Sequence, residues 1–359
     1  MARIAYFVSP HGFGHATRSA AVMSAIQAIA PTTHFDIFTQ APEWLFRASL
    51  SGSFSYHDLM CDIGLVHQKS PLEEDLDATL QRLEGFFPFD ETLVAALAEQ
   101  VCKLGCQIIL CDIAPLGIAV AARAGIPSVL IENFTWDWIY AGYLEADRRF
   151  AKYIDYLGNV FRSTRHHIQT EPVCSYTACD LVTPPVSRPP RTPRGQTRQR
   201  LGIPENAKMV LVTMGGIETP LAFANHPAAP EELFFVVPGG APHASTRQRI
   251  LLPHQSDFYH PDLVHASDAI VGKAGYSTLA EAYLAGVPYI YTTRPRFRET
   301  ASLTAFIHKE LGGFEIQADE FNQGKWIQGL VELLSKPRRM GIRENGAAQA
   351  AEFILNLLS

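Results

Sequence analysis

The residues best placed to do chemistry lie in three short stretches. The first is Ser9-Pro10-His11-Gly12-Phe13-Gly14-His15-Ala16-Thr17-Arg18-Ser19, directly after the apolar run Ile4–Ser9. Histidine takes up a proton near neutral pH, so His15 at a strand's carboxyl end could serve as a general base toward a hydroxyl. Gly12 and Gly14 permit a tight turn and a close approach to the backbone. The helix that follows offers free N–H groups and a positive dipole end. Arg18, one turn beyond His15, would salt-bridge an acid or meet an anion. The alternative is that His11 and His15 only cap the helix or brace the turn. The spacing is not GxGxxG, which argues against a nicotinamide-type dinucleotide site.

The second stretch follows the apolar strand Gln107–Cys111. Asp112 there could N-cap the next helix. On the same sheet edge as His15, it could instead hold the imidazole in its proton-accepting tautomer. A later strand ends in Glu132-Asn133-Phe134-Thr135-Trp136-Asp137-Trp138. Rings with polar tips suit the face of a sugar, and core packing explains Phe134 and one Trp equally well. Asn133, Trp136 and Asp137, with His11 and Gly14, are the candidates for an acceptor side.

The third stretch is Ser267-Asp268-Ala269-Ile270-Val271-Gly272-Lys273-Ala274-Gly275-Tyr276-Ser277-Thr278-Leu279-Ala280-Glu281. Gly272 and Gly275 bracket a turn, Ser277 and Thr278 could cap the helix, and exposed N–H groups would then face a phosphate. Lys273 could add a point charge for a diphosphate. Glu281 is one helical turn past Ser277, where a carboxylate could grip a ribose diol. The alternative is an ordinary strand-to-helix turn with a surface glutamate. Thr213-Met214-Gly215-Gly216 looks like a second phosphate-facing turn. In the polar loop Arg294–Thr300, Glu299 could accept hydrogen bonds from sugar hydroxyls, and a solvated basic loop is the plainer reading of the arginines.

Positioning these residues requires alternating short apolar strands and helices, the pattern of a parallel sheet. The first half offers strands at Ile4–Ser9, His34–Thr39, Gln107–Cys111 and Ser128–Glu132, with helices near Ala16–Ile29, Glu91–Leu104 and Gly117–Ala124. Between Thr183 and Gly195 stand five prolines in thirteen residues, which break helix and central strand alike. The pattern then restarts with strands at Met209–Thr213, Leu233–Val237, Ala269–Val271 and Tyr289–Thr292. Helices are expected near Ser277–Ala285, Ala301–Leu311, Lys325–Ser335 and Gly341–Leu358. The expected organisation is a domain over 1–185, a Pro-rich linker over 186–196, a second domain over 197–340, and a C-terminal helix over 341–359 crossing back to the first. Two such sheets facing each other would enclose a cleft beyond their strand ends.

The chain has 359 residues, 47% apolar and 18% charged, with formal charge −6, which suits a soluble two-domain enzyme and offers no global attraction to nucleic acid. The basic run Arg188–Arg200 reads as a solvated linker. The six cysteines form no CxxC pair and no zinc-type pattern with histidine, so no metal site is expected. Thiols beside apolar residues point to a reducing, cytoplasmic setting. No run approaches the roughly 18 apolar residues of a membrane span. Peripheral membrane contact stays open through apolar residues near Trp44–Phe46 or Phe86–Phe89, for which domain packing is the alternative.

The combination Gly-Tyr-Ser-Thr-Leu-Ala-Glu-Ala followed by Ala-Gly-Val-Pro resembles the donor signature of GT-B glycosyltransferases, among them the bacterial N-acetylglucosaminyltransferase of peptidoglycan lipid synthesis. The His-Gly-Phe-Gly-His-Ala-Thr-Arg loop, the Asn-Phe-Thr-Trp-Asp segment and the Gly-Lys-Ala-Gly-Tyr turn are most similar to the glycosyltransferase-like N-terminal region of plant arabinokinase. The resemblance runs through nearly the whole chain, and the first loop and the donor turn are its specific parts. It implies a GT-B fold of two Rossmann-like domains and metal-independent, inverting transfer from a nucleotide-sugar, a UDP-sugar first among them, used as cosubstrate with no cofactor. It implies His15 as base, Asp112 as its partner, Gly216, Gly275, Ser277 and Thr278 at the diphosphate, and Glu281 at the ribose. Glycan, lipid-linked or small-molecule acceptors are all compatible. The family's Asp-Gln or Gln-Gln pair at the donor sugar is here Glu299-Thr300, so the sugar itself is left open. The kinase part of arabinokinase has no counterpart, and no P-loop is present. A sugar-nucleotide epimerase or hydrolase on the same fold, and a non-catalytic sugar-nucleotide sensor, are the alternatives.

Overall fold

The computed structural model describes residues 2–68, 73–214, 230–253, 255–335 and 343–358. The strands are β1 (Arg3–Val8), β2 (His34–Thr39), β3 (Phe54–Asp58), β4 (Ile108–Asp112), β5 (Ser128–Glu132), β6 (His166–Thr170), β7 (Leu181–Thr183), β8 (Lys208–Thr213), β9 (Leu233–Pro238), β10 (Arg249–Leu252), β11 (Ala269–Lys273) and β12 (Tyr289–Thr292). The α-helices are α1 (Phe13–Ile29), α2 (Glu43–Ser49), α3 (Leu76–Phe86), α4 (Glu91–Lys103), α5 (Pro115–Ala124), α6 (Trp136–Ala141), α7 (Ala151–Arg162), α8 (Arg194–Arg200), α9 (His260–Ala266), α10 (Tyr276–Ala285), α11 (Glu299–Phe306), α12 (Ala318–Gln323), α13 (Ile327–Leu334) and α14 (Gly346–Asn356).

The chain divides into two compact units. The first holds Met1–Arg188, Arg296–Glu299 and Asn345–Ser359; the second holds Pro189–Pro295 and Thr300–Glu344. In the first unit the strand order is β3-β2-β1-β4-β5-β6-β7, and in the second β10-β9-β8-β11-β12, with every pairing parallel. Both are Rossmann-like orders, in which the winding direction reverses beside the first strand.

The strands read as continuous apolar runs because both sheet faces are covered. Ile4, Tyr6 and Val8 of β1 pack with Ala16 and Ala20 of α1 and with Ala350 and Ile354 of α14. Ala5 and Phe7 point the other way, against Leu116 and Ile118 of α5 and Leu157 of α7. The second unit repeats the scheme, with Leu211 and Ile270 on one face and Val212 and Val271 on the other.

Two expectations change. The basic run Arg188–Arg200 is not a solvated linker: Arg188 is buried and donates to Ser49 Oγ at 3.2 Å, while Arg194 and Arg198 of α8 both reach Asp268, at 2.7 and 3.1 Å. The aromatic runs considered for membrane contact are core elements, since Phe46 and Phe87 are buried and Trp44, Phe86 and Phe89 pack against the same clusters. Among the described residues, no helix is long and apolar enough to cross a membrane.

Candidate functional site

In the first unit, α1 and α5 follow the neighbouring strands β1 and β4 but pack on opposite faces, which opens a crevice at the carboxyl ends of those strands. The His15 loop and Asp112 lie there. Gly12, at φ 76°, adopts the left-handed backbone that glycine tolerates and serves as the N-cap of α1 without any side-chain cap. His15, Arg18 and Ser19 sit at i, i+3 and i+4 of α1, one helical face, and all three turn toward Asp112.

The resulting cluster is buried and tightly bonded. His15 Nδ1 is 2.9 Å from Asp112 Oδ1. A carboxylate only accepts, so Nδ1 carries the proton and Nε2 is left without a hydrogen-bond partner among the described residues. Arg18 grips the same carboxylate twice, Nε to Oδ2 at 2.8 Å and Nη2 to Oδ1 at 2.6 Å, and Ser19 Oγ adds a bond to Oδ2 at 3.2 Å. Burial alone would raise the Asp112 carboxyl, but the charge and hydrogen bonds of Arg18, helped by His15, hold it below the usual carboxylate range. Arg18 Nη1 then donates to Asn133 Oδ1 at 2.6 Å, and Asn133 Nδ2 donates to Glu299 Oε1 at 2.8 Å. Asp112 therefore does not N-cap α5, whose N-cap is Ala114. The next residue, Ile113, is held at φ 43°, a β-branched side chain in the left-handed region, which costs on the order of 1–3 kcal/mol and marks this strand end as constrained.

Of the acceptor-side candidates, some join this cluster and one does not. Phe134 meets the His15 ring edge-on at 5.9 Å and the Trp136 ring at 5.5 Å. His11 stands edge-on to Trp136 at 5.1 Å and stacks with His67 at 5.6 Å. Gly14 lies in the first turn of α1, where its carbonyl accepts from Thr17 Oγ1 at 2.9 Å. Trp136 is fully buried and donates Nε1 to Asp62 Oδ2 at 2.9 Å, so it supports the site from behind. Asp137 does not approach His15; it lines a separate cavity beside β5 and β6. Glu299 groups with the first unit and bonds Asn133, so its observed partner is the His15 cluster.

Asp62 was not foreseen. Its carboxyl is fully buried and is pushed up to about 6, chiefly by burial and partly offset by the Trp136 N–H, with His15 and Asp112 near enough to act on it electrostatically. A signal existed in the sequence: Cys61-Asp62-Ile63 repeats the tripeptide Cys111-Asp112-Ile113. His67, Ser19 and the double grip of Arg18 were also beyond the sequence reading.

In the second unit, the corresponding reversal lies between β8 and β11. A Cβ on Gly272 would lie 1.7 Å from the Thr213 carbonyl oxygen, so only glycine lets these two strands approach at the turn. Helix α10 starts at Tyr276 with Gly275 as N-cap and no side-chain cap; Ser277 and Thr278 lie inside the first turn and do not cap it. The N-cap residue thus offers the first-turn N–H groups no side-chain acceptor, the arrangement that suits a phosphate. Lys273 ends β11 beside this turn. Glu281 is buried, and His260 Nδ1 lies 2.6 Å from its Oε2. His260 is a further partner that the sequence reading lacked. Gly216 falls outside the described residues. Among the described residues, no cluster of three or more His, Cys, Asp or Glu is placed to hold a metal ion.

Two Rossmann-like units of this kind make the GT-B fold. The solved structure of the calicheamicin glycosyltransferase matches with a TM-score of 0.65 at 17% identity, covering 99% of this chain and 98% of that one. A UDP-glucosyltransferase from Polygonum tinctorium matches with a TM-score of 0.61 at 14% identity, over 99% and 98%. In sequence, the chain is similar to the L-arabinokinase of Arabidopsis thaliana, 28% identical over 342 residues, which are 92% of this chain and 32% of that protein. It therefore spans about a third of that relative's length. It is also similar to the UDP-N-acetylglucosamine–N-acetylmuramyl-(pentapeptide) pyrophosphoryl-undecaprenol N-acetylglucosamine transferase of Bacillus licheniformis, 24% identical over 264 residues, 67% of this chain and 69% of that protein. No family model matches the chain. The resemblance that the motifs suggested is thus found in both comparisons.

Proposed function

We propose that this chain is an inverting glycosyltransferase that moves a sugar from a nucleotide diphosphate donor, a UDP-sugar first among candidates, to an acceptor hydroxyl. The observation that carries the reading is His15: its Nδ1 proton is committed to Asp112, and its Nε2 is left to take a proton. In the reaction, Nε2 removes the acceptor hydroxyl's proton. The oxygen then attacks the anomeric carbon from the face opposite the leaving group. The bond to the diphosphate breaks with inversion, and the nucleotide diphosphate departs with the electron pair. The ionised Asp112 stabilises the imidazolium that forms. The uncapped start of α10 and the Lys273 ammonium suit the growing charge on the departing diphosphate. Glu281 suits the ribose, with His260 fixing its carboxylate. The GT-B fold, and relatives whose names include a UDP-glucosyltransferase and an N-acetylglucosamine transferase, support the same reading.

A panel of UDP-, GDP- and dTDP-sugars tests it. One donor class is expected to raise the melting temperature, by about 2.7 kcal/mol of stabilisation at 100 times Kd, and to be consumed in step with acceptor glycosylation. Epimerised or hydrolysed donor with water alone, and no transfer to any acceptor, would make the chain an epimerase or hydrolase. Stabilisation with the donor intact after long incubation would make it a sensor.

A further inference from the structure

Beside β5 and β6 the first unit departs from the rule that both faces of a parallel sheet are apolar. Glu132 pairs in register with Gln169, and His167, two positions back and on the same face, pairs with Leu130. Glu132 and His167 line a cavity of about 730 Å³ bounded by α6, α7 and the loop 175–180, with Gln169 bonded to Glu132. Pockets of about 300–1,000 Å³ are of the size that takes small ligands.

Its polar groups are held but not used up. Glu132 is buried and accepts from His167 Nε2 and from Gln169 Nε2, both at 2.8 Å and both on Oε1. Oε2 has no hydrogen-bond partner among the described residues. Asp137 Oδ1 is buried and also has none. On α7, a Cβ at Gly158 would lie 3.1 Å from Arg162 Nη1 and 3.3 Å from Asp137 Oδ2, so a larger residue would press on both. A glycine inside a helix costs roughly 1 kcal/mol relative to alanine, which is explained if the space beside Asp137 matters. The loop over the cavity is pinned in place: Gln169 Nε2 donates to the Ser175 carbonyl at 3.0 Å, Thr177 N donates to Gln169 Oε1 at 3.1 Å, and His167 N donates to Asp180 Oδ2 at 2.8 Å.

We propose that this cavity is a binding site for a neutral, polyhydroxylated ligand, a sugar ring. Glu132 Oε2 accepts from one ring hydroxyl and the Asp137 carboxylate on the same wall from another, and Phe134, Trp138 and Phe161 supply apolar surface for C–H faces. The charge balance selects against ionic ligands. Glu132 and Asp137 repel a phosphate, while Arg162 and Arg165 at the exposed rim repel an ammonium. The site is distinct from His15, with which it shares the Phe134 wall, and it does not depend on sugar transfer.

The test is binding to the 15N-labelled whole chain, read on the Trp138 indole signal. The probes are D-glucose, D-galactose and D-mannose, with inorganic phosphate and ethylammonium as charged alternatives. At least one hexose is expected to shift the signal saturably with Kd on the order of 1 mM, the scale set by ligand efficiency for so small a molecule. Glu132→Gln, which keeps the shape, and Asp137→Asn, on a half-exposed residue, are each expected to weaken it about tenfold or more. If Glu132→Gln fails to fold, Asp137→Asn alone decides. No hexose shift up to about 100 mM, a shift unchanged in Asp137→Asn, or a response to phosphate or ethylammonium in place of the hexoses overturns the proposal.

Discussion

The two strand-order reversals of this chain are built from the same parts and finished differently. In the first unit, the polar groups converge on one buried carboxylate, and each bonds the next from His15 and Asp112 through Arg18 and Asn133 to Glu299. In the second, the helix start at Gly275 carries no side-chain cap, and the buried acid Glu281 pairs with His260. In the proposed reaction the first arrangement serves as a preorganised proton site, with geometry and charge fixed before any ligand arrives. The second serves there as an anion receiver whose partners come with the ligand. Substitutions in the first should therefore damage stability and chemistry together, and those in the second should damage binding.

The largest effect is expected for Arg18→Met. It leaves the Asp112 charge buried without its double partner, and breaking a buried pair in this way costs about 3–5 kcal/mol. Chemical denaturation should show that loss, and a loss below about 1 kcal/mol would reduce Arg18 to an ordinary surface-type pair. Asp112→Asn comes next. It takes away the carboxylate that fixes the His15 tautomer and leaves Arg18 unpaired, so turnover should fall about 10²–10⁴-fold in steady-state kinetics.

Asp62 provides a smaller effect with a definite sign. Its native pKa of about 6 lies above the ordinary value of about 3.9, so between those values the folded protein holds the extra proton. The unfolded chain binds fewer protons in that window, and stability attributable to Asp62 falls as pH rises from about 4 to about 6. Asp62→Asn keeps an acceptor for Trp136 and removes that penalty, so the variant should gain about 3 kcal/mol over wild type at pH 8 and nothing at pH 3.5. Melting curves of the two proteins across that range check it, and a constant difference would contradict the buried acid. Glu281→Gln should have the smallest effect, about tenfold in donor KM with kcat nearly unchanged, the pattern of an interaction made equally in ground and transition states.

Much of this contrast could be read before the fold was known, for a physical reason. Asp112 ends, and His15 and Gly275 follow, strands buried on both faces, and such strands announce themselves as apolar runs; β2, β5 and β12 lie at the residues expected. Strands β3, β6, β7 and β10 were not expected. In β6 the cause is visible, because His167 lines the polar cavity and Gln169 bonds the Glu132 carboxylate, and both break the pattern. Asp62 was lost with β3, the polar edge strand that precedes it. Arg18 was visible as a cation but not as the bidentate partner of Asp112, because spacing along one helix does not say which distant acid it meets.

The central claim is that His15 carries the proton transfer while the second unit binds the donor. Donor turnover and donor binding should be measured side by side on wild type and His15→Ala. The account predicts that turnover falls by at least about 10²-fold while the donor Kd, read by titration, changes less than about threefold. Equal turnover in the two proteins would remove His15 from the base role and leave the Asp112 cluster as structure alone.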